Sequence, residues 1–147
     1  MRTSKIRRHA TQILHWVIVI LLVFLLSVDQ RIYGGLGWAF VVSGGTLCLL
    51  GLLFGLMNKY PSPALEGAMR WVHPWLSRAM YLLLGWVVLA LAGAAAGYPL
   101  SGPEARNLLL VLAAAACGHA ILHLWRHTGL RDGALRRIVP HVFHKFL

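Results

Sequence analysis

The sequence predicts an all-α membrane protein, a bundle of four transmembrane helices with both chain ends in the cytoplasm. Two properties of its 147 residues predict this fold: 59% of them are apolar and only 12% are charged. An ordinary soluble domain carries about 25% charged residues, so the composition excludes a water-soluble enzyme. A third observation is that the charges are strongly unbalanced, with 14 Lys and Arg against four Asp and Glu.

Four uncharged stretches are each long enough to cross a bilayer as a helix, which takes about 20 residues. They lie at residues 10–28, 32–58, 79–103 and 107–125. Because two of them include turn residues at their ends, the predicted spans are about 10–28, 37–58, 79–98 and 107–126. Residues 1–147 then form one membrane domain, which ends in a cytoplasmic tail at 127–147.

The positions of the basic residues predict the orientation of these spans. Twelve of the 14 lie before span one, between spans two and three, or after span four, together with only Glu66 and Asp132. Each of the other two loops contains equal numbers of acidic and basic residues. Since Lys and Arg collect in loops that are not translocated, both termini are predicted to be cytoplasmic. In a soluble chain this excess would indicate nucleic acid, but here no nucleic-acid partner is predicted.

Span one follows a basic segment, as the apolar part of a secretory leader does. Its uncharged stretch is longer than a leader's apolar region, however, and no small-residue cleavage site follows it. We therefore predict that span one is a retained helix.

The histidines inside the spans are the candidate functional residues, because ionisable groups in a bilayer are costly and are usually kept for function. His15 lies in span one, and His119, His123 and His127 form a stripe on one face of span four. Imidazoles from two facing helices suit the axial ligation of a b-type haem. We predict one non-covalent haem b held by His15 and by His119 or His123, which helix spacing alone does not separate. Gly118 is predicted to leave room for the macrocycle.

Other sites are less well supported. A catalytic zinc ion usually takes a carboxylate or thiolate as well as histidine, and all four acidic residues lie in loops or the tail. Cys48 and Cys117 lie in apolar stretches, without the spacing of a metal site, a disulfide framework or a covalent haem attachment. His73 and His127 are predicted to lie at the membrane interface as polar residues rather than as iron ligands.

Short motifs along the chain resemble those of the bacterial cytochrome b561 family. They are LHW at 14–16, KYPSP at 59–63, AMYLL at 79–83, GH at 118–119 and RDGALRR at 131–137. Together they extend over nearly the whole chain in the family's order. The resemblance implies a four-helix cytochrome of the bacterial inner membrane that exchanges electrons with quinone.

The resemblance also implies which histidines hold haem. The family's inner haem uses the histidine of the first-span His-Trp pair and a histidine before the basic-Asp pair that ends span four. These positions match His15 and His119, which favours His119 over His123. The ligands of the family's outer haem fall at about Ala39 and Ala105, which do not bind iron. We therefore predict that the outer haem is absent, which weakens the case for the family's superoxide chemistry and for its through-membrane electron path.

The predicted function is one-electron transfer by a membrane b-type cytochrome, with quinone or as the haem subunit of a larger redox complex. The sequence leaves open whether the chain is itself an enzyme, an oxidoreductase using quinone, or only carries electrons for a partner. One alternative is a haem-less anchor subunit that keeps the family fold. Another is a diverged member in which His73 or His123 replaces a ligand or holds extra haem. The predicted partners are membrane lipid, quinone and other redox or membrane subunits.

Overall fold

The structure, a computed structural model, describes residues 2–28, 34–56, 65–137 and 139. These residues form four long helices and a short 3₁₀ turn: α1 (Arg2–Ser27), α2 (Gly35–Phe54), α3 (Gly67–Ala95), α4 (Ala105–Thr128) and the turn Ala134–Arg137. No strand occurs among them, and each of the four helices is long and apolar enough to cross a membrane. The predicted all-α, four-span fold is confirmed, and the chain is a multi-pass membrane protein. The predicted motif at 59–63 and the tail residues 140–147 lie outside the described residues.

Two helices extend well beyond the predicted spans. Helix α1 begins at Arg2 and α3 at Gly67, so Arg70, which the charge pattern placed in a loop, is helical. Lys and Arg are good helix formers, so a helix can continue through charged residues. A search for uncharged stretches finds only the part of a helix that lies within the hydrocarbon of the membrane. Pro74 also lies inside α3 and removes one backbone hydrogen bond, but the helix continues through it.

A glycine-based turn joins α3 to α4. Gly97 has a φ of 82°, its N–H donates to the Ala94 carbonyl at 3.2 Å, and the Tyr98 N–H donates to the Gly93 carbonyl at 2.8 Å. This is the Schellman arrangement that ends many helices. A Cβ atom on Gly93 would stand 2.7 Å from the Tyr98 carbonyl oxygen, so glycine is required there as well.

The helices pack as an antiparallel ring, each against its neighbours in the chain and α1 also against α4. The Arg7 guanidinium donates to the Phe54 carbonyl at 3.0 Å, which joins the start of α1 to the end of α2. The start of α3 and the end of α4 lie at the same end of the bundle. We call it the basic end, because most of the Lys and Arg residues of the sequence fall on these segments.

Each helix buries one narrow stripe and leaves the rest of its apolar surface exposed. The buried stripes include Ile18, Leu22 and Leu25 on α1, and they continue through leucines and valines of α3 and α4. Outward-facing side chains such as Leu52 and Leu82 are 81% and 75% exposed. Such surfaces are stable against lipid tails, which are as apolar as leucine itself.

Glycines bring α2 and α3 into close contact. A Cβ atom on Gly44 would lie 2.7 Å from a Val88 methyl group, and one on Gly51 would lie 2.6 Å from the Tyr81 ring. The sequence predicts the small-residue face at Gly51 and Gly55, but Gly55 lies beyond the end of α2. The close-packing pair is therefore Gly44 and Gly51, two turns apart.

We expect Gly51→Leu to lower the free energy of unfolding by about 1–3 kcal/mol, because overpacking forces the neighbouring side chain and backbone to move. Unfolding by a denaturing detergent in mixed micelles measures this loss. Gly118→Leu is the matched control, since no heavy atom lies within 4 Å of a Cβ atom at Gly118. Equal losses in the two variants would contradict the packing assignment.

Candidate cofactor site

A cavity lies between the four helices and is lined mainly by α1, α3 and α4. It contains about 980 Å³ of empty space, counted out to its opening. Leu22, Leu47, Leu84 and Leu112 form apolar walls. The cavity therefore suits a mainly apolar ligand.

Polar groups in the lining are few and lie toward the basic end. They include Thr11 and Gln12 on α1 and Ser77 on α3. The Thr11 hydroxyl donates to the Arg7 carbonyl at 3.0 Å, within its own helix. A ligand in this cavity would thus meet hydrocarbon at one end and polar groups at the other.

His15 and His119 both line this cavity, one from α1 and one from α4. Helical periodicity turns both rings inward. His15 lies on the buried stripe of α1, between Thr11 and Ile18, and His119 lies two turns after the buried Leu112 of α4. The structure therefore brings together the two residues for which the family resemblance implies iron ligation.

One nitrogen of the His119 ring lacks a hydrogen bond among the described residues. Its Nδ1 atom is buried and has no hydrogen-bond partner in the part of the chain that the structure describes. A buried polar nitrogen normally has a partner, and the tautomer of a ligating histidine is set by the bond that its second nitrogen makes. No such bond fixes the tautomer here, so a ring nitrogen remains available to a ligand in the cavity.

His123 lies one turn further along α4, outside the cavity lining. Its ring is 4% exposed and meets the His119 ring edge-on, with the ring centroids 4.4 Å apart. Helix spacing in the sequence did not separate these two histidines as candidate ligands. In the structure, His119 faces the cavity and His123 packs behind it.

Gly118, which was predicted to leave room for the macrocycle, lies outside the cavity lining. It is exposed, no heavy atom lies within 4 Å of a Cβ atom built on it, and it does not line the cavity. Successive helical residues are rotated by about 100°, so the neighbour of an inward-facing histidine points to another face. Ala116, one turn before His119, lines the cavity instead.

A buried ion pair lies at the basic end of α4. The Arg126 side chain is 2% exposed and that of Asp132 is 4% exposed. The guanidinium donates to Oδ2 of Asp132 from both Nε, at 2.8 Å, and the NH2 nitrogen. Oδ1 of the same carboxylate accepts the Ala134 N–H at 2.9 Å. The chain reverses after α4 through Arg131 and Gly133, both with positive φ, and so returns Asp132 to Arg126.

His73 completes this cluster from α3, where it is buried against α4. It is only 3% exposed, and its Nε2 accepts a hydrogen bond from the NH1 nitrogen of Arg126. Because a guanidinium only donates hydrogen bonds, the proton of the His73 ring lies on Nδ1. The sequence does not indicate this burial, because it gives no sign that helix α3 begins twelve residues before residue 79.

The remaining histidines do not line the cavity. His9 is exposed and His127 is half-buried, while His141 and His144 lie outside the described residues.

Within the described ranges, no group of three or more His, Cys, Asp and Glu side chains converges on a metal-sized site. Haem needs fewer protein ligands, since its macrocycle supplies four nitrogens and the protein only the axial positions. Two histidines facing one cavity suffice for it.

No protein family, curated protein or solved structure is significantly similar to this chain.

Proposed function

We propose that the chain is a membrane b-type cytochrome that binds one non-covalent haem b and transfers single electrons. The observation that carries this proposal is that His15 and His119, from two helices, line one largely apolar cavity. Haem iron bound there would cycle between ferric and ferrous states, which is one-electron chemistry. In this proposal His15 and His119 are the axial ligands, and His123 is the alternative to His119.

The remaining lining residues suit this cofactor. Leu22, Leu84 and Leu112 exclude water from the deep part of the cavity, as an apolar macrocycle requires. Thr11 and Gln12 offer hydrogen bonds at the other end, nearest the basic end of the bundle. The positive charge of that end is complementary to the two propionate groups of haem b.

The proposed electron partner is quinone or the redox subunit of a larger complex. No histidine occurs between residues 16 and 72 or between 74 and 118, so the sequence offers no second pair of axial histidines in the far half of the bundle. A hydrocarbon core is about 30 Å thick, and electron tunnelling falls steeply with distance. The chain alone is therefore not expected to conduct electrons across the membrane. A lipid-soluble carrier or a bound subunit must therefore exchange electrons with the haem in the half of the membrane that contains it.

Reduction by a quinol analogue tests this function. We expect the haem-loaded protein in lipid nanodiscs to be reduced by the quinol and to take up one electron per chain, followed by its absorption spectrum. Steady turnover with a second acceptor would make the protein a quinone oxidoreductase in its own right. A haem-loaded protein that no quinol reduces would contradict the quinone assignment and leave an attached redox subunit as the partner.

We propose the bacterial cytoplasmic membrane as the location, with both termini inside, because twelve of the 14 Lys and Arg residues lie on one side of the four spans. We expect reporter fusions after Leu147 to be active in the cytoplasm and those between residues 98 and 103 to be active outside. If an impermeant reagent labels the tail in sealed cells from outside, the orientation is reversed.

A further inference from the structure

The buried pair of Arg126 and Asp132 requires an explanation beyond stability. Taking two charges out of water costs about as much as their attraction returns, so apolar residues often replace such a pair without loss. Buried charges of this kind are instead found preferentially at functional sites. Arg126 of this pair lies on α4, the helix that supplies His119 to the cavity.

The pair is close to the proposed haem ligand. Arg126 follows His119 by seven residues, which is two turns, so both lie on one face of α4 about 10 Å apart along its axis. His123 lies between them, with its ring against that of His119. Arg126 also donates a hydrogen bond to Nε2 of His73 on α3. Buried polar groups therefore connect the cavity to the ion pair.

We infer that Asp132 compensates the charge of Arg126 and thereby sets the reduction potential of the haem in the cavity, an inference that rests on the proposed function. A guanidinium does not lose its proton in a protein, so an uncompensated Arg126 would be a permanent cation in a weakly screening interior. Such a cation stabilises the reduced haem, which has one more electron, and raises the potential. The Asp132 carboxylate cancels this field and holds the potential lower.

The chain reversal at the end of α4 places the Asp132 carboxylate beside the Arg126 guanidinium. Asp132 follows the helix by four residues and returns only because Arg131 and Gly133 adopt positive φ values of 51° and 67°. Its second oxygen is held by the Ala134 N–H at 2.9 Å. The carboxylate is thus held in place by the backbone as well as by the guanidinium. The backbone turn through Arg131 and Gly133 therefore determines the position of the carboxylate.

Redox titration of the purified, haem-loaded protein tests the inference. Asp132→Asn keeps the shape of the side chain and removes its charge, so the midpoint potential should shift upward. The double variant Arg126→Met with Asp132→Asn removes both charges and should return the potential toward the wild-type value. Glu104→Gln, at the far end of α4 and exposed, is the control and should leave it unchanged. A midpoint potential does not depend on yield, so partial loss of folded protein does not obscure these shifts.

Each outcome distinguishes the two proposals. An upward shift in Asp132→Asn that the second substitution reverses supports the charge compensation. An unchanged potential, or a shift that persists in the double variant, overturns it while leaving haem binding intact. If Asp132→Asn yields no folded protein, Arg126→Gln at alkaline pH leaves an ionised carboxylate alone. The potential must then fall, and an unchanged or raised value overturns the inference. A wild-type chain without haem overturns the proposed function and this inference together.

Discussion

We expect His15→Ala and His119→Ala each to abolish the low-spin b-type spectrum of the purified protein. Removing one axial imidazole leaves haem iron without its sixth ligand. The lining also includes Met80 and Tyr81, and ligation by a thioether or a phenol would give a spectrum different from that of two imidazoles. The reduced-minus-oxidised absorption spectrum and the haem content per chain measure the effect.

His127→Ala and His9→Ala are the controls for these variants, because neither side chain lines the cavity. Both should leave the spectrum nearly unchanged. His123→Ala decides between the two candidate ligands on α4, and we expect it to retain bound haem because His123 packs behind His119. A normal spectrum in His119→Ala together with its loss in His123→Ala would show that the ligand lies one turn nearer the basic end.

Arg126→Met should lower the free energy of unfolding by about 3–5 kcal/mol, since it leaves the Asp132 carboxylate buried without its partner. The loss of stability comes from burying the carboxylate charge without a counter-charge, because the ion pair itself contributes little net stability. Adding Asp132→Asn to Arg126→Met should therefore recover much of it. Detergent-induced unfolding in mixed micelles, monitored by circular dichroism, gives both values.

Arg78→Met is the matched control for Arg126→Met, because Arg78 is exposed and lies over the Trp75 ring at 4.8 Å. Contacts of that kind contribute about 0.5–1 kcal/mol at exposed sites. If the two arginine variants lose the same stability, burial of the Arg126 charge is not the cause.

Much of the fold follows from the sequence alone. Uncharged stretches of spanning length fix the number of helices, because a bilayer admits few charged residues and no unpaired backbone. The 3.6-residue repeat then turns His15 and His119 to the same side as the buried Ile18 and Leu112. These features depend on local periodicity and composition, so they can be predicted from a single sequence.

The charged cluster behind the cavity does not follow from the sequence. His73 lies in a segment with Arg70, Pro74 and Arg78, which has the composition of an interfacial loop, and only the extended α3 places it inside the bundle. Its partner Arg126 is 53 residues away in the chain. Asp132 returns to α4 through a single positive-φ arginine, Arg131. Such contacts depend on how helices and turns meet in three dimensions, which residue spacing does not encode.

Haem content per polypeptide of the protein purified from membranes tests the central claim most directly. The pyridine haemochrome spectrum gives the amount of haem b, and amino-acid analysis gives the amount of chain. One haem b for each chain, with the low-spin spectrum of two axial imidazoles, is the result we predict from His15 and His119 in one cavity. Protein that remains haem-free when haem is supplied in excess would contradict the claim and favour an anchor subunit, and two haems per chain would contradict the single site.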